Sequence, residues 1–353
     1  MALHISADRL RAFVASSYRT VGISESDANR IAELQTEADL RGADGHGVFR
    51  LPQYIRRIKT GGMNVAPNIR IERETAAMAL VDGDNGMGHL VMRFAALTAM
   101  AKARQSGVAW VGARMSNHAG PASLYATMPL AEGMIGLYFA VGNANHLAPW
   151  GGIELLLSTN PIAVAVPARE ELPIVLDMAT TTAAYGKVKT AAQRGEQMPV
   201  GWMIDFAGKP LTDPKRSDEG MLLPLGGMEA GFKGYGLSLV IGLLAGTLNQ
   251  AAMGRGVIDF NKDDQSATNT GHAIVAIDPA AFGDAVRFKD EVDRLIRDIR
   301  ASKRLPGVAR IWLPGEQSQG KRIERMKNGI PVPEPLLASL NKLATELGMA
   351  PLA

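Results

Sequence analysis

The chain has 353 residues, 46% of them apolar and 21% charged, the proportions of a water-soluble globular protein with room for two or three domains. Its net charge is +3 and no run of lysine or arginine exceeds two residues, so no basic stripe invites nucleic acid. There is no cysteine, which excludes disulfides, thiolate nucleophiles, cysteine zinc sites and iron–sulfur ligation and suits a reducing cytoplasm.

The N-terminus, MALHISADRLRAFV, carries charges within its first ten residues and lacks the apolar core of a secretory signal, so a cytoplasmic protein is expected. Ser6 can cap a helix with apolar Leu10, Phe13 and Val14, closed by Gly22. Ser24 with Asp27 resembles a capping box at the head of a second helix running to about Arg41. From residue 69 the pattern changes: IRIERE and AMALVDG read as strands, followed by the helix VMRFAALTAMAKARQSG and the strand GVAWVGARM. Further strands are expected at 134–141, 161–168, 173–179, 272–278 and 308–314, with helices at 231–252 and 284–303. From about 317 the chain returns to helix. The longest apolar run, 237–246, is too short to cross a bilayer, so no membrane partner is expected.

Strands 161–168 and 173–179 lie too close together for a helical crossover, so part of the sheet must be antiparallel. The expected layout is a helical region, 1–70 with 317–353, around a mixed α/β region, 71–316.

Absences narrow the chemistry. The chain has no G-x-G-x-x-G, no Walker loop, no H-E-x-x-H and no G-x-S-x-G. In RGADGHGVFRLPQYI, His46 and Arg50 share a face if helix persists from 46 to 51. Arginine can then clamp a carboxylate while histidine gives or takes a proton on the neighbouring carbonyl. The competing reading is a helix starting at Asp44 with an incidental histidine, and Pro52 weakens the assumed spacing. His118, in MSNHAGPASLY, falls between a strand and a helix, where ligand sites gather, but a loop histidine capping the helix fits as well. Turn chemistry accounts for most of VGNANHLAPWGG, although His146 could touch a ligand. LPLGGMEAGFKGYG, with Lys233, reads either as a phosphate cradle opening a helix or as a tightly packed glycine loop. VLDMATTTAAYGK offers Asp177 and a threonine-headed helix to an anion, or simply caps that helix.

The ordered set ADLRGADGHGVFRLPQYIRRIKTGG, SNHAG, APWGG followed by TNP, PIVLDMAT, PLGG with KGYG, and LPGE followed by GIPVP resembles the type-2 malate/L-lactate dehydrogenases. That group also holds ureidoglycolate and sulfolactate dehydrogenases, diketogulonate reductase and reductases of piperideine- and pyrroline-2-carboxylate. The resemblance covers nearly the whole chain. It implies an α/β fold that binds NAD or NADP without the Rossmann fingerprint, on a largely antiparallel or mixed sheet flanked by helices, in a homodimer with a helical region closing over the nicotinamide. It implies that His46 donates the proton, that Arg50 binds a small-molecule carboxylate substrate, and that His118 is a second catalytic histidine. Asp177, Met178, Ala179, Lys233, Gly315 and Glu316 match cofactor contacts, and Asn143 aligns with another. No metal is implied.

Two departures bear on substrate. The family commonly reads D-S-H-G where Gly45 stands here, and GNANHLAP replaces a proline-bearing loop and brings in His146. The expected activity is hydride transfer between nicotinamide and the α-carbon of a small 2-oxo or 2-hydroxy acid. Reduction of a cyclic imino acid is the alternative. A metal-dependent hydrolase or lyase using His46, His118 and His146, or a nucleotide-binding protein without catalysis, are the readings from other classes.

Overall fold

Serine caps start the first two helices as the sequence predicts. A computed structural model describes residues 2–353, with every side chain but those at 193 and 194. After β1 (Ala2–Ile5), the Ser6 hydroxyl accepts the Arg9 N–H at the head of α1 (Ala7–Thr20). Ser24 does the same for Asp27 at the head of α2 (Glu25–Leu40), and the Asp27 carboxylate accepts the Ser24 hydroxyl in return. Leu10, Phe13 and Val14 point inward, as their spacing requires.

The expected helix over 46–51 does not form. Residues 44–47 make a turn, Val48–Arg50 a single tight helical turn, and α3 runs from Leu51 to Lys59. Pro52 sits in the first turn of α3, where its missing N–H has no helical acceptor to lose, so it starts the helix rather than breaking it.

The centre of the chain builds one sheet. Its strands are β2 (Arg70–Glu74), β3 (Met78–Gly86), β4 (Val108–Ser116), β5 (Ile135–Ala140), β6 (Ile162–Val166), β7 (Ile174–Met178) and, from late in the chain, β11 (Thr270–Ile277). The order is β2-β3-β4-β11-β5-β6-β7. Among the described residues, β3 and β4 are the only hydrogen-bonded neighbours that run parallel, and the helix α4 (Gly88–Ser106) supplies the crossover that this needs. The short link between β6 and β7 forces the antiparallel pairing expected of it.

Helices cover both faces. On one, α4 lays Val91, Met92, Ala95, Ala96, Ala99 and Ala103 against Val81, Ala109, Val111 and Ala113; the alanines let helix and sheet approach closely. On the other, α7 (Gly227–Ala245) buries Ile241 and Ala245 against Phe139, Val141, Ala273 and Val275. A separate core draws on α1, α2 and α3 together with Ile330, Val332, Leu340, Leu343 and Ala344 from the C-terminal end.

The remaining elements are α5 (Ser123–Ala126), α6 (Tyr185–Arg194), β8 (Met203–Asp205), β9 (Pro210–Leu211), β10 (Gly220–Leu222), α8 (Ala285–Ala301), α9 (Glu316–Asn328), β12 (Ile330–Pro333) and α10 (Glu334–Glu346). β12 pairs with β1, joining the two ends of the chain, and β10-β8-β9 form a small sheet. Neither pairing was expected from the sequence. The strand expected at 308–314 is extended chain without a ladder; it gives β7 one bond, from Val175 N–H to the Pro314 carbonyl at 3.0 Å. The apolar helix also exceeds the ten-residue run in the sequence. Gly227–Asn249 is long and apolar enough to cross a membrane by length and composition, and its inner side packs on the sheet.

Candidate active site

The turn that carries His46 is held from below by α2. Gln35 Nε2 donates to the Gly47 carbonyl at 2.8 Å and itself accepts the Tyr18 hydroxyl at 2.9 Å. The Asp39 carboxylate accepts the Val48 N–H at 2.8 Å, and burial holds that carboxyl well above its usual range. A Cβ on Gly47 would collide with Asp39, so only glycine brings the turn this close to α2. Gly45 is different. A Cβ there meets nothing within 4 Å, and its carbonyl accepts the Arg50 Nε–H at 3.0 Å. The absent serine leaves room rather than filling a steric need.

The structure brings His46 and His118 together. Their rings stack 5.3 Å apart, with His46 Nδ1 and His118 Nε2 separated by 3.3 Å. Tyr54, one turn after Arg50 on α3, places its hydroxyl 2.5 Å from His118 Nδ1, and the Gly120 N–H points at the same nitrogen from 3.3 Å. Burial raises the Tyr54 hydroxyl pKa, so tyrosine is the donor. Two donors aimed at His118 Nδ1 leave the proton of its neutral ring on Nε2. That N–H then donates to His46 Nδ1, which leaves the His46 proton on Nε2. Among the described residues, no side chain or carbonyl accepts from this Nε2–H. Burial, then the nearby Arg50 charge, brings His46 down to about 4, and burial, then the facing His46 and Arg50, puts His118 well below its ordinary value. Both rings are neutral at neutral pH.

Phe260 forms the other wall. It stacks on His118 at 5.2 Å and lies 5.1 Å from the Arg50 guanidinium. Asn143 holds it there: the Asn143 carbonyl accepts the Phe260 N–H at 3.0 Å, while the Asn143 amide donates to the Thr270 hydroxyl. Arg50 is buried, and its Nη1 donates to Gln53 at 2.8 Å and Asn261 at 3.4 Å. It has no carboxylate partner among the described residues. His89 lies behind, fully buried, with neither ring nitrogen hydrogen-bonded and burial pressing it down to about 3.

The expected cofactor contacts fall mainly along β7. Asp177 is exposed at its end and accepts the Ser123 N–H at 2.9 Å, which ties it to the segment leaving His118. Met178 and Ala179 follow, half-buried. Gly315 packs onto Val175, and its positive φ of 91° suits glycine at this close approach. The Glu316 carboxylate is taken by Arg300, Arg310 and the Leu313 N–H, so what this turn can offer a ligand is backbone. Lys233 is not in a loop. The helix already starts at Gly227, and the exposed Lys233 lies in its second turn, with its ammonium 5.9 Å from the Phe232 ring. The start of α7 does abut β7's continuation, through Leu225 N–H to the Thr180 carbonyl at 2.9 Å.

His146 stacks face to face on Tyr185 at 3.7 Å, and its backbone bonds to Leu157 and Leu222. No group of three or more metal-ligating side chains occurs among the described residues. Sequence reasoning missed Tyr54, Phe260, Asn261 and Lys189. Only Tyr54, four residues beyond Arg50 in a stretch that reads as helix, carried a usable signal.

The chain matches a family model described as malate/L-lactate dehydrogenase over residues 5–341. A malate dehydrogenase of Pyrococcus horikoshii is 38% identical over 352 residues, covering 98% of this chain and 96% of its own. The solved structure of malate dehydrogenase from that organism superposes with a TM-score of 0.91 at 36% identity, over 99% of this chain and 97% of the other. L-sulfolactate dehydrogenase of Methanocaldococcus jannaschii is 37% identical over 328 residues, 93% of this chain and 92% of its own. A solved Δ1-piperideine-2-carboxylate reductase from Pseudomonas syringae reaches a TM-score of 0.82 at 28% identity, over 97% of this chain and all of the other.

Proposed function

The chain belongs to the malate/L-lactate dehydrogenase family and is an NAD(P)-dependent oxidoreductase of small hydroxy acids; from that premise we propose how its residues divide the work. His46 exchanges the proton on the substrate α-oxygen, Arg50 clamps the carboxylate, and His118 with Tyr54 feeds and drains His46. The observation carrying this reading is the Tyr54–His118–His46 chain, which ends at a free Nε2–H beside a buried arginine that lacks a carboxylate.

NAD or NADP, when bound, supplies or accepts the hydride at the α-carbon. The donor set fits such a group: an exposed carboxylate at Asp177 for ribose hydroxyls, the Met178–Ala179 edge, the backbone turn at Gly315–Glu316, and Lys233 near a helix start for phosphate. During reduction, His46 Nε2–H passes to the developing alkoxide. As it leaves, the His118 Nε2–H moves to His46 Nδ1. The proton that solvent must supply enters at His118 Nδ1, where the Tyr54 hydroxyl turns from donor to acceptor. Oxidation runs the same shifts backwards, from the tautomer with a bare His46 Nε2. A cyclic imino acid fits the same apparatus, with the proton landing on nitrogen; the resemblance to the piperideine-2-carboxylate reductase supports this second reading. Turnover of a panel of 2-oxo acids and cyclic imines with NADH and NADPH tests both. Oxidation of neither cofactor by any acid on the panel contradicts them.

Lys233→Ala is expected to weaken cofactor binding by about tenfold or more, the effect of one hydrogen bond to a charged group. Calorimetry with each cofactor reads it, and an unchanged Kd removes Lys233 from the site.

The working unit in this reading is a homodimer in the cytoplasm, with the terminal helical core closing over the α/β region. Its support is the outward face of α7, where Met228, Phe232, Val240 and Leu243 are 56%, 51%, 52% and 44% exposed. Sedimentation should give a dimer, and Val240→Asp combined with Leu243→Asp should give an inactive monomer. A fully active monomer, or partition of the wild type into vesicles, defeats the assignment of this face to a second copy.

A further inference from the structure

Beside Arg50 stands a second cation that the proton-transfer scheme does not use. Lys189, on α6, donates its Nζ to Asn261 Oδ1 at 2.7 Å, and Arg50 Nη1 reaches the same oxygen at 3.4 Å. One neutral amide oxygen is thus shared by two positive side chains. Asn261 cannot turn away from them. Its Nδ2 and its backbone N–H both donate to Asp259 Oδ1, each at 2.9 Å, which fixes the oxygen toward the cations.

Neither cation has a carboxylate within ion-pairing distance among the described residues; Asp259 and Asp218 act on Lys189 only at longer range. Burial, then the Arg50 charge, lowers the lysine pKa. Two like charges held together in a partly dry pocket by one dipole make an unfavourable arrangement, which a bound anion relieves. A carboxylate held bidentately by Arg50 commits both its oxygens to the guanidinium, which leaves Lys189 available to a second anionic group. Because both side chains touch one oxygen atom, their charged groups are no further apart than those two contacts laid end to end. Two carboxylates separated by two carbons can bridge that gap.

We propose that Lys189 is a specificity-determining residue that binds a second anionic group on the far end of the substrate, so that this site selects dianionic 2-oxo and 2-hydroxy acids over monoanionic ones. The inference rests on Arg50 as the clamp for the first carboxylate. Asn261 sets the spacing between the two cations, and Tyr185, 5.7 Å from the lysine ammonium and stacked on His146, walls the pocket. The bond strength asked of Lys189 is that of one charge-assisted hydrogen bond, about 10- to 100-fold in affinity.

Pyruvate and oxaloacetate share the 2-oxo acid head and differ in the distal carboxylate. Their binding to the enzyme saturated with oxidised cofactor gives dead-end complexes, so calorimetry reads affinity without turnover. The wild type is expected to bind oxaloacetate at least tenfold more tightly than pyruvate. In Lys189→Met that ratio should collapse toward one, with the larger loss on oxaloacetate, while Lys189→Arg should keep most of it. Arg50→Gln should weaken both acids. Equal binding of the two acids by the wild type, or a Lys189→Met variant that weakens both in the same proportion, overturns the proposal. Loss of the ratio in Lys189→Met together with unchanged binding in Arg50→Gln keeps Lys189 as an anion site but removes the clamp reading of Arg50. Failure of the wild-type complex to bind either acid removes both.

Discussion

His46→Ala is expected to lower kcat by about 10²–10⁴-fold while leaving the cofactor Kd unchanged, the range for removing a positioned acid–base group. The size follows from position. His46 ends the chain of hydrogen bonds, and among the described residues its Nε2 is the one nitrogen of the dyad without a protein partner, which makes it the point of proton delivery in this scheme. His118→Ala should cost less than His46→Ala if His118 only relays, because water can fill a relay position more readily than a terminal one. If His118→Ala abolishes turnover and His46→Ala stays active, the terminal role belongs to His118. The pH profile separates the scheme from an ordinary histidine base. Burial brings His46 down to about 4, so its base form survives as pH falls until that value. For oxidation, kcat/KM should therefore stay level from pH 8 to pH 5, where a histidine near 6.5 would already have lost most of its base form. Reduction must load a proton onto the dyad, so its kcat/KM should fall as pH rises.

Arg50→Gln is expected to lower kcat/KM by about 10²–10³-fold, mainly through KM, with cofactor affinity unchanged. The guanidinium is buried and, among the described residues, bonds only to neutral acceptors: the Gly45 carbonyl, Gln53 and Asn261. It stands beside Phe260, which also stacks on His118, so a carboxylate on Arg50 is brought up against the dyad. Glutamine keeps a polar donor but loses the charge and the fork, which a bidentate carboxylate needs. An Arg50→Gln enzyme with lowered kcat and unaltered KM would instead place this arginine in transition-state stabilisation alone. The Gly45 carbonyl accepts the Arg50 Nε–H, and Gly45 leaves open space where a side chain would stand.

The resemblance singles out the histidines and Arg50 in the sequence, and the fold brings them together by a different local device from helical spacing. Spacing of four residues suggested one helical face. Instead, His46 projects from a turn pinned by Gln35 and Asp39, and Arg50 ends a separate tight turn before α3. Gly47, not helix periodicity, is the determinant, since it alone allows the turn to sit on the Asp39 carboxylate. The central strands and their antiparallel pairing are readable from alternation and short links. β1 with β12, and β8 to β10, are short and lack that alternation, and their partners lie far away in sequence or bend back within a loop-rich segment. The 308–314 stretch looks like a strand because Val308, Ile311 and Trp312 favour one, yet it meets the edge strand β7 with a single bond. Lys189, Asn261 and Phe260 carry no motif at all. Their meeting at Arg50 is a product of tertiary folding that no local pattern announces.

Hydride transfer to the α-carbon is tested most directly by isotope. NADH or NADPH carrying deuterium on the transferred C4 position, incubated with the enzyme and the 2-oxo acid it turns over best, should yield a 2-hydroxy acid bearing one deuterium on C2. The hydroxyl proton should come from water through His46, so no label should appear there and the His46→Ala enzyme should form far less labelled product. A product unlabelled at C2, or labelled equally fast by the wild type and His46→Ala, contradicts the account.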